Sequence, residues 1–188
     1  MKTVNGSFKK KRNVLLVAGV MAFSMLFTGC GKSKNDEEKP ASESEAVSSS
    51  DVQKEVLSFV GEKLPAISAN RDKAIEVYNK AVADNLKSDE MLMNLKDTAI
   101  PALQAYIDEL DAIEINSEEV KALKDLTRQS VEKQYSAMKM VVTAIEDSNP
   151  EYLSQAQNLI DEAYETLDKY NDKLKTICSD QGIQLTME

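Results

Sequence analysis

Apolar residues recur every three or four positions in the carboxyl-terminal part of the chain, and this spacing limits the possible folds more than any other feature. From Leu153 to Ile177 the steps alternate between three and four without a break, which places the apolar positions on one stripe of an α-helix. The stripe comprises Leu153, Ala156, Ile160, Ala163, Leu167, Tyr170, Leu174 and Ile177. Such a helix can bury the stripe only by packing it against other helices or another apolar surface.

The residues at both ends of this segment predict where the helix begins and ends. Asn149 suits an N-cap, Pro150 suits the first helical position, and Glu151 places an acid in the first turn. Gly182 suits the residue that closes a helix in the left-handed conformation, and Ile183 supplies the apolar contact that accompanies such a cap. We therefore expect one uninterrupted helix between these two signals.

Three earlier segments show the same spacing and complete the predicted fold. The first runs from Asp51 to about Ala83, the second opens at Ser88, and the third carries Val120 to Ile145. Asn116 and Glu119 are placed for a capping box before the third segment, with Ser117 as the alternative cap. Loops of about three to five residues force neighbouring helices to be antiparallel. The sequence predicts an all-α fold, an antiparallel up-down-up-down four-helix bundle over residues 51–188.

Two prolines interrupt the first two predicted helices in similar tetrads, Leu64-Pro65-Ala66-Ile67 and Ile100-Pro101-Ala102-Leu103. Proline lacks the backbone donor and crowds the preceding turn, which costs about 3 kcal/mol in a helix interior unless something compensates. We expect Pro-kinked first and second helices, with Pro65 dividing the first helix into a short piece, residues 51–63, and a longer one. The two kinks either shape a cleft or are merely tolerated.

The amino terminus has the organisation of an export signal. Lys2, Lys9, Lys10, Lys11 and Arg12 form a basic segment without acidic residues. The fourteen residues from Val14 to Phe27 are uncharged and mostly apolar. As a helix they would reach about 21 Å, which is short of the roughly 30 Å hydrocarbon core of a bilayer. A short apolar run behind a basic segment, ending in small residues, is typical of a secretory signal peptide.

The residues that close this run, Leu26-Phe27-Thr28-Gly29-Cys30, resemble the lipobox of bacterial lipoproteins. The resemblance implies diacylglycerol transfer to the Cys30 thiol and cleavage between Gly29 and Cys30. Phe27 departs from the pattern, which usually has Leu at that position. An ordinary secretory signal that ends in a cysteine, or an uncleaved membrane anchor, is the alternative. The lipobox interpretation makes residues 1–29 a signal peptide and anchors the chain on the extracytoplasmic face of the cell membrane.

Residues 30–50 are predicted to be a tether between the lipidated Cys30 and the helical domain. The segment from Gly31 to Ser50 is rich in Ser, Glu and Lys and nearly free of apolar residues, so it cannot bury enough surface to offset its ordering entropy. Twenty flexible residues span about 25 Å. That length would hold a folded domain clear of lipid headgroups.

Charge and composition exclude several classes of function. The first 29 residues hold five of the 23 Lys and Arg and none of the 32 Asp and Glu, so the remainder is strongly acidic. An acidic surface repels phosphate, so we expect no nucleic-acid partner. The absence of His excludes Ser-His-Asp and Cys-His catalysis and His-based metal sites. With Cys30 lipidated, Cys178 has no partner for an internal disulfide. We expect no enzyme activity, no cofactor and no metal-binding residues.

Two groups of residues are candidate sites inside the bundle. One is a ligand pocket lined by Tyr78, Tyr106, Gln134, Tyr135 and Tyr170, although aromatic residues at helical spacing usually belong to the core. The other comprises Met91, Met93, Met138 and Met140, whose thioethers suit Cu(I). Counting outward from a turn near Ile115 puts the two methionine pairs at about the same height, but core filling by flexible Met is favoured.

The pattern over residues 51–183 is similar to that of small helical-bundle lipoproteins of Gram-positive bacteria, and no functional motif accompanies the similarity. The first functional hypothesis is a non-catalytic interaction module, anchored through diacylglycerol on Cys30, that binds a protein or an envelope component. The alternative is a small-ligand or Cu(I) binding protein that uses the bundle interior.

Replacing Cys30 with Ala tests the lipid anchor, because alanine offers no thiol for diacylglycerol transfer. We expect the variant to be released from the membrane or to retain its signal peptide. Fractionation and gel mobility measure both effects. Unchanged membrane retention together with unchanged mobility would contradict the lipobox interpretation.

Overall fold

The computed structural model describes residues 49–83 and 87–184, and every regular element in these ranges is helical. The helices form four runs that pack as a helical bundle, and the first two runs each contain one π-helical turn. In chain order the elements are α1 (Ser49–Ser58), π1 (Phe59–Lys63), α2 (Leu64–Ala83), α3 (Ser88–Asn94), π2 (Leu95–Ala99), α4 (Ile100–Asp111), α5 (Glu118–Glu146) and α6 (Glu151–Asp180). The predicted all-α class is confirmed for these residues. The predicted signal peptide and nearly all of the tether lie outside them.

The apolar stripe of α6 faces the common core, but not evenly along its length. Five of its eight predicted positions are buried, namely Ala156, Ala163, Tyr170, Leu174 and Ile177. The other three, Leu153, Ile160 and Leu167, are half-buried. The carboxyl-terminal part of α6 is therefore the more deeply covered part of this helix.

Small side chains allow α5 and α6 to approach each other closely. Ala163 is fully buried, and the Ser130 hydroxyl donates to its carbonyl oxygen at 3.0 Å. An ion pair between Lys133 and Glu162 joins the same two helices one turn away. A side-chain hydroxyl can reach a backbone carbonyl of another helix only where no bulky residue separates the two. This contact therefore fixes the height of α5 relative to α6.

Each helical proline follows a turn of π-helix. The Leu64 N–H, just before Pro65, donates to the Phe59 carbonyl, and the Ile100 N–H, just before Pro101, donates to the Leu95 carbonyl. Both bonds span five residues instead of four. Proline cannot donate to the carbonyl four residues earlier, and its ring crowds that carbonyl. The wider turn makes room for the ring while both helices continue, so residue 63 marks the end of π1 and not a break between two helices.

The connector between α4 and α5 begins with Ala112 in a helical conformation and ends with Ser117 in an extended one. Ile113 and Ile115 are half-buried and Ser117 is buried, while the residues between them are exposed. This alternation is the period of an extended chain. Lysine side chains satisfy its carbonyl groups: Lys63 Nζ donates to Glu114, and Lys124 Nζ donates to Ile113 and Asp111. Charged side chains from two helices therefore bond the connector backbone.

A glutamate from α1 caps the start of α5. The Asn116 N–H donates to Glu55 Oε1 at 2.7 Å, and the Ser117 N–H donates to Glu55 Oε2 at 2.8 Å. The Ser117 hydroxyl donates to the same Oε2. The predicted capping box of Asn116 and Glu119 is wrong: Ser117 is the N-cap, without a side-chain bond to its own helix. The carboxylate of a distant helix replaces the local cap because it can accept from both N–H groups at once.

These contacts also change the acidity of Glu55. Burial by itself would raise the pKa of the carboxyl group, but the bonds from Ser117 and Asn116 and the nearby Lys63 charge favour the ionised form. The net effect is a pKa below the ordinary value of 4.5. The ionised carboxylate therefore stabilises the folded chain.

Replacing Glu55 with Gln should lower the free energy of unfolding by about 1–3 kcal/mol at neutral pH, because one buried N–H then faces an amide donor. Because the folded pKa is lowered, the stabilisation is fully present above pH 4.5 and is lost as pH falls through the folded value. Urea unfolding from pH 7 to 3 should show the parent and the variant converging. The matched control is Glu76→Gln on the exposed face of α2, and an equal loss there would contradict the capping role.

Both long helices end in Schellman caps, but the left-handed residue differs. After α6 it is Gly182, at φ 65°, and the Ile183 N–H donates to the Cys178 carbonyl at 2.8 Å. Ile183 packs against the core, so the predicted glycine cap with its apolar contact is confirmed. After α5 the residue is Ser148, at φ 52°, and the Asn149 N–H donates to the Ala144 carbonyl. A side chain in this conformation costs about 1–2 kcal/mol.

Replacing Ser148 with Gly should therefore raise the free energy of unfolding by about 0.5–1 kcal/mol, since glycine removes the strain but adds chain entropy. Gly182→Ala should lower it by about 1 kcal/mol, although no atom lies within 4 Å of the added Cβ. Gly61→Ala is the matched control, because the new Cβ also meets nothing within 4 Å and the backbone is helical. Chemical denaturation measures all three, and the same sign for both glycine replacements would contradict the conformational explanation.

Candidate functional site

The five predicted pocket residues differ in burial. Tyr106 and Tyr170 are fully buried, Gln134 is buried, and Tyr78 and Tyr135 are half-buried. The Tyr135 ring lies under Lys139 of the same helix, with Nζ 5.3 Å from the ring centroid. Tyr135 is therefore a surface contact of α5, whereas Tyr106 and Tyr170 belong to the interior.

An arginine that is absent from the predicted site residues contacts one of the two interior tyrosines, Tyr106. Arg71 of α2 lies 5.8 Å from the Tyr106 ring centroid and shares a hydrogen bond with Tyr106. Its side chain is only 14% exposed, and Nη2 contacts the carboxylate of Asp72 at 2.9 Å. The signal was present in the sequence, because Arg71 occupies the apolar stripe between Ile67 and Ala74. A charge at such a position needs a partner inside the fold.

The phenols of this cluster are harder to ionise than ordinary tyrosines. Burial raises the pKa of Tyr170, and the neighbouring Tyr106 phenol adds to the effect. Burial also raises the pKa of Tyr106, although Arg71 opposes the shift. Both phenols are therefore neutral at physiological pH. A neutral phenol can both donate and accept a hydrogen bond.

A second polar group lies between α5 and α6. The Gln134 Nε2 donates to the Ser130 hydroxyl oxygen at 3.4 Å, and the Thr166 hydroxyl donates to the Glu162 carbonyl at 2.8 Å. Ser130, Gln134 and Thr166 are three of the four buried polar or charged residues of the described chain. The core between α5 and α6 therefore contains bonded polar side chains from both helices.

Two ion pairs to α5 give the height of Gln134 along the bundle axis relative to Tyr106 and Arg71. Arg128 contacts Asp111 at 2.8 Å, and Lys96 contacts Glu146 at 2.7 Å. Counting residues along both helices from these two ion pairs puts Tyr106 level with about residue 134 of α5. Arg71 contacts Tyr106, so Arg71, Tyr106 and Gln134 lie at one height along the bundle axis. Ser130 joins this height through its bond to Gln134, whereas the Ser130–Ala163 contact puts Thr166 level with about residue 128. We call Arg71, Tyr106, Ser130 and Gln134 the polar layer.

Tyr78 lies outside the polar layer. The Asn70 amide donates to Glu109, and Lys63 donates to the Glu114 carbonyl. Counting residues along the two antiparallel helices from these contacts puts Tyr78 level with about residue 100 of α4. That is about 9 Å along the axis from Tyr106. Burial raises the pKa of Tyr78 to about 12.

The four methionines of the Cu(I) hypothesis do not lie at one height. The Arg128–Asp111 and Lys96–Glu146 pairs put Met138 level with about residue 102, so the two methionine pairs are about 13 Å apart along the axis. The equal heights expected from the sequence are wrong because the connector shifts α5 by several residues. Met93 is 60% exposed, whereas Met138 is buried. The sequence predicted that the methionines fill the core, and this is confirmed for Met138 but wrong for Met93.

The remaining predicted site residues are Gly29 and Cys30, which lie outside the described residues. Within residues 49–83 and 87–184, Cys178 is buried, and its burial raises the pKa of the thiol. The same ranges contain no group of three or more Cys, Asp and Glu suited to hold a metal ion. No helix in them is both long enough and apolar enough to span a bilayer.

No protein-family model, curated protein or solved structure matches the chain.

Replacing Tyr106 with Phe should lower the free energy of unfolding by about 0.5–1.5 kcal/mol, because the phenol that bonds Arg71 is removed while the ring remains. Tyr135→Phe is the matched control, since that ring is half-buried beside Lys139. Urea unfolding compares the two. Equal stability of the Tyr106 variant and the parent would show that the Arg71 bond contributes nothing net to the fold.

Proposed function

We propose that this chain is a lipid-anchored lipoprotein on the extracytoplasmic face of the cell membrane, whose bundle is a non-catalytic interaction module. Cleavage at Gly29 and lipidation of Cys30 would leave a mature chain with 18 basic and 32 acidic residues. Such a charge excess opposes adhesion to anionic headgroups. Two acyl chains on Cys30 would therefore provide the membrane attachment.

The arrangement we infer for the helices is antiparallel and up-down-up-down. Three pairs of helices support this topology, because residue numbers rise along one helix as they fall along its neighbour. The paired contacts are Asn70–Glu109 with Lys63–Glu114, Arg128–Asp111 with Lys96–Glu146, and Ser130–Ala163 with Lys133–Glu162. We also infer that the first and second helices bend at Pro65 and Pro101, since π-turns and prolines are the common causes of helix kinks.

The observation that carries the interaction role is where the tether joins the bundle. The Ser49 hydroxyl donates to the Gln181 side chain, and the Gln53 amide donates to the Gln181 backbone carbonyl. The start of α1 and the end of α6 therefore lie at one end, which we call the proximal end. From there α5 and α6, of 29 and 30 residues, reach about 45 Å. A bundle held by its proximal end presents its opposite end to other envelope molecules.

Ligand binding in the interior is the second candidate, and the polar layer favours it. Arg71, Tyr106 and Gln134 supply a cation, a phenol and an amide at one height of the bundle. A small molecule with matching polar groups would stabilise the folded chain on binding. A thermal-shift screen detects this as a rise in Tm that Tyr106→Phe should reduce. Cu(I) is the less favoured ligand because the methionine pairs differ in height.

Affinity capture from cross-linked cells tests the interaction role. We expect the full chain to enrich one or more envelope partners, and Cys30→Ala to lose them because the variant leaves the membrane. Cys178→Ala is the matched control, since it also removes one thiol but leaves the anchor intact. Quantitative mass spectrometry measures the enrichment. Repeated absence of any partner from the parent chain would contradict the proposal.

A further inference from the structure

The hairpin of α2 and α3 extends past the end of α5. Lys96 Nζ contacts the carboxylate of Glu146 at 2.7 Å, and Glu146 is the last residue of α5. All seven residues of α3 precede Lys96 and therefore lie largely beyond that level, over a length of about 10 Å. No residue of α3 is buried. This helix forms the end of the bundle opposite the proximal end.

Three consecutive apolar residues lie on this protruding helix. Met93 is 60% exposed, the largest exposure among the large hydrophobic side chains that the structure describes. Met91 and Leu92 are half-buried and pack against the core. Successive residues of a helix point about 100° apart, so these three side chains do not share one face. We call the exposed side of α3 at Met93 the apolar tip. Flexible thioethers adapt to differently shaped apolar surfaces, and methionine is enriched where one surface accepts varied helices.

Acidic residues surround the apolar tip. Asp89 and Glu90 lie on α3, and Glu146 and Asp147 lie at the end of α5, all four exposed. Two exposed lysines also lie here: Lys96 pairs with Glu146, and Lys87 precedes α3, so the acidic residues are in excess of the basic ones. Glu90 also accepts from the Lys87 N–H at the start of α3. An apolar surface with a negative border selects a partner that is both apolar and cationic.

We propose that the apolar tip binds a cationic amphipathic helix of a partner protein. The inference rests on the proposed interaction role and specifies its surface. The apolar face of the partner would cover Met93, while its Lys or Arg residues would approach Asp89 and Asp147. An acidic helix would meet like charges at the same border. The location suits a tethered protein, because the tip lies at the opposite end from Ser49.

The probes are two synthetic amphipathic helices of equal length, one of Leu and Lys and one of Leu and Glu. Fluorescence polarisation measures their binding to the full chain in a nonionic detergent. We expect the Lys peptide to bind at least ten-fold more tightly than the Glu peptide, and its Kd to rise with salt. Equal binding of the two peptides would overturn the proposal.

Variants assign the binding to the tip. Met93→Lys should weaken the Lys peptide at least ten-fold, with an unchanged urea midpoint because the side chain is exposed. Leu57→Lys is the matched control, since Leu57 is 44% exposed on α1 near the proximal end. Asp89→Asn should also weaken binding, whereas Asp180→Asn at the end of α6 should not. Parent-like affinity of Met93→Lys, or an equal loss in Leu57→Lys, would overturn the assignment.

Failure of this inference is distinguishable from failure of the interaction role. Affinity capture is repeated with Met93→Lys, whose anchor and fold are unaffected. Loss of the captured partner supports the tip. Equal capture by the parent and Met93→Lys would overturn the tip assignment and leave the interaction role intact.

Discussion

The bonds between Glu55 and the start of α5 join the parts of this bundle that the chain itself keeps far apart. Glu55 precedes Ser117 by 62 residues, yet its carboxylate accepts from the Asn116 N–H, the Ser117 N–H and the Ser117 hydroxyl. The connector exposes backbone groups that no helix satisfies, and leaving them unbonded in the fold costs free energy. Glu55 and the lysines at 63 and 124 supply those partners. The height of α5 relative to α1 and α4 follows from these bonds.

The sequence predicted features whose physical causes are local. The apolar stripe of α6, its Gly182 cap and the contact of Ile183 depend on residues close in the chain, and the structure contains them. The predicted start of α6 is wrong by one residue, because Pro150 is the N-cap and Glu151 the first helical residue. The Asn149 side chain still accepts from the Glu151 N–H. The helical class follows from the same periodicity in the other runs. Local spacing is sufficient for these features because each helix bonds mostly to itself.

The features that sequence reasoning missed depend on groups distant in the chain. Asn116 and Glu119 have the spacing of a capping box, but Glu55 offers two oxygens and displaces it. The heights of the methionine pairs depend on the length of the connector, which the helix periodicity does not determine. Of the candidate pocket, Tyr106 and Gln134 lie in one layer. Tyr78 lies at another height, and the Tyr135 ring lies beside Lys139. The sequence shows Arg71 as a charged residue on an apolar stripe, but it does not show that the partner of Arg71 is Tyr106, which lies on another helix.

The polar layer places polar side chains in the interior, and the apolar tip places an apolar side chain at the surface. Each departs from the usual distribution of side chains and has a different consequence. In the middle of the bundle, Ser130 and Gln134 are buried and bonded, which fixes one alignment of α5 with α6. At the tip Met93 is exposed, where burial would have stabilised the fold by about 1.5–3 kcal/mol. Polar groups in the interior make the alignment of the helices specific. An apolar side chain that folding leaves exposed can be buried when a partner binds. The height of α3 above α5 follows instead from the Glu55 bonds and the Lys96–Glu146 ion pair, so the polar layer and the tip depend on different contacts.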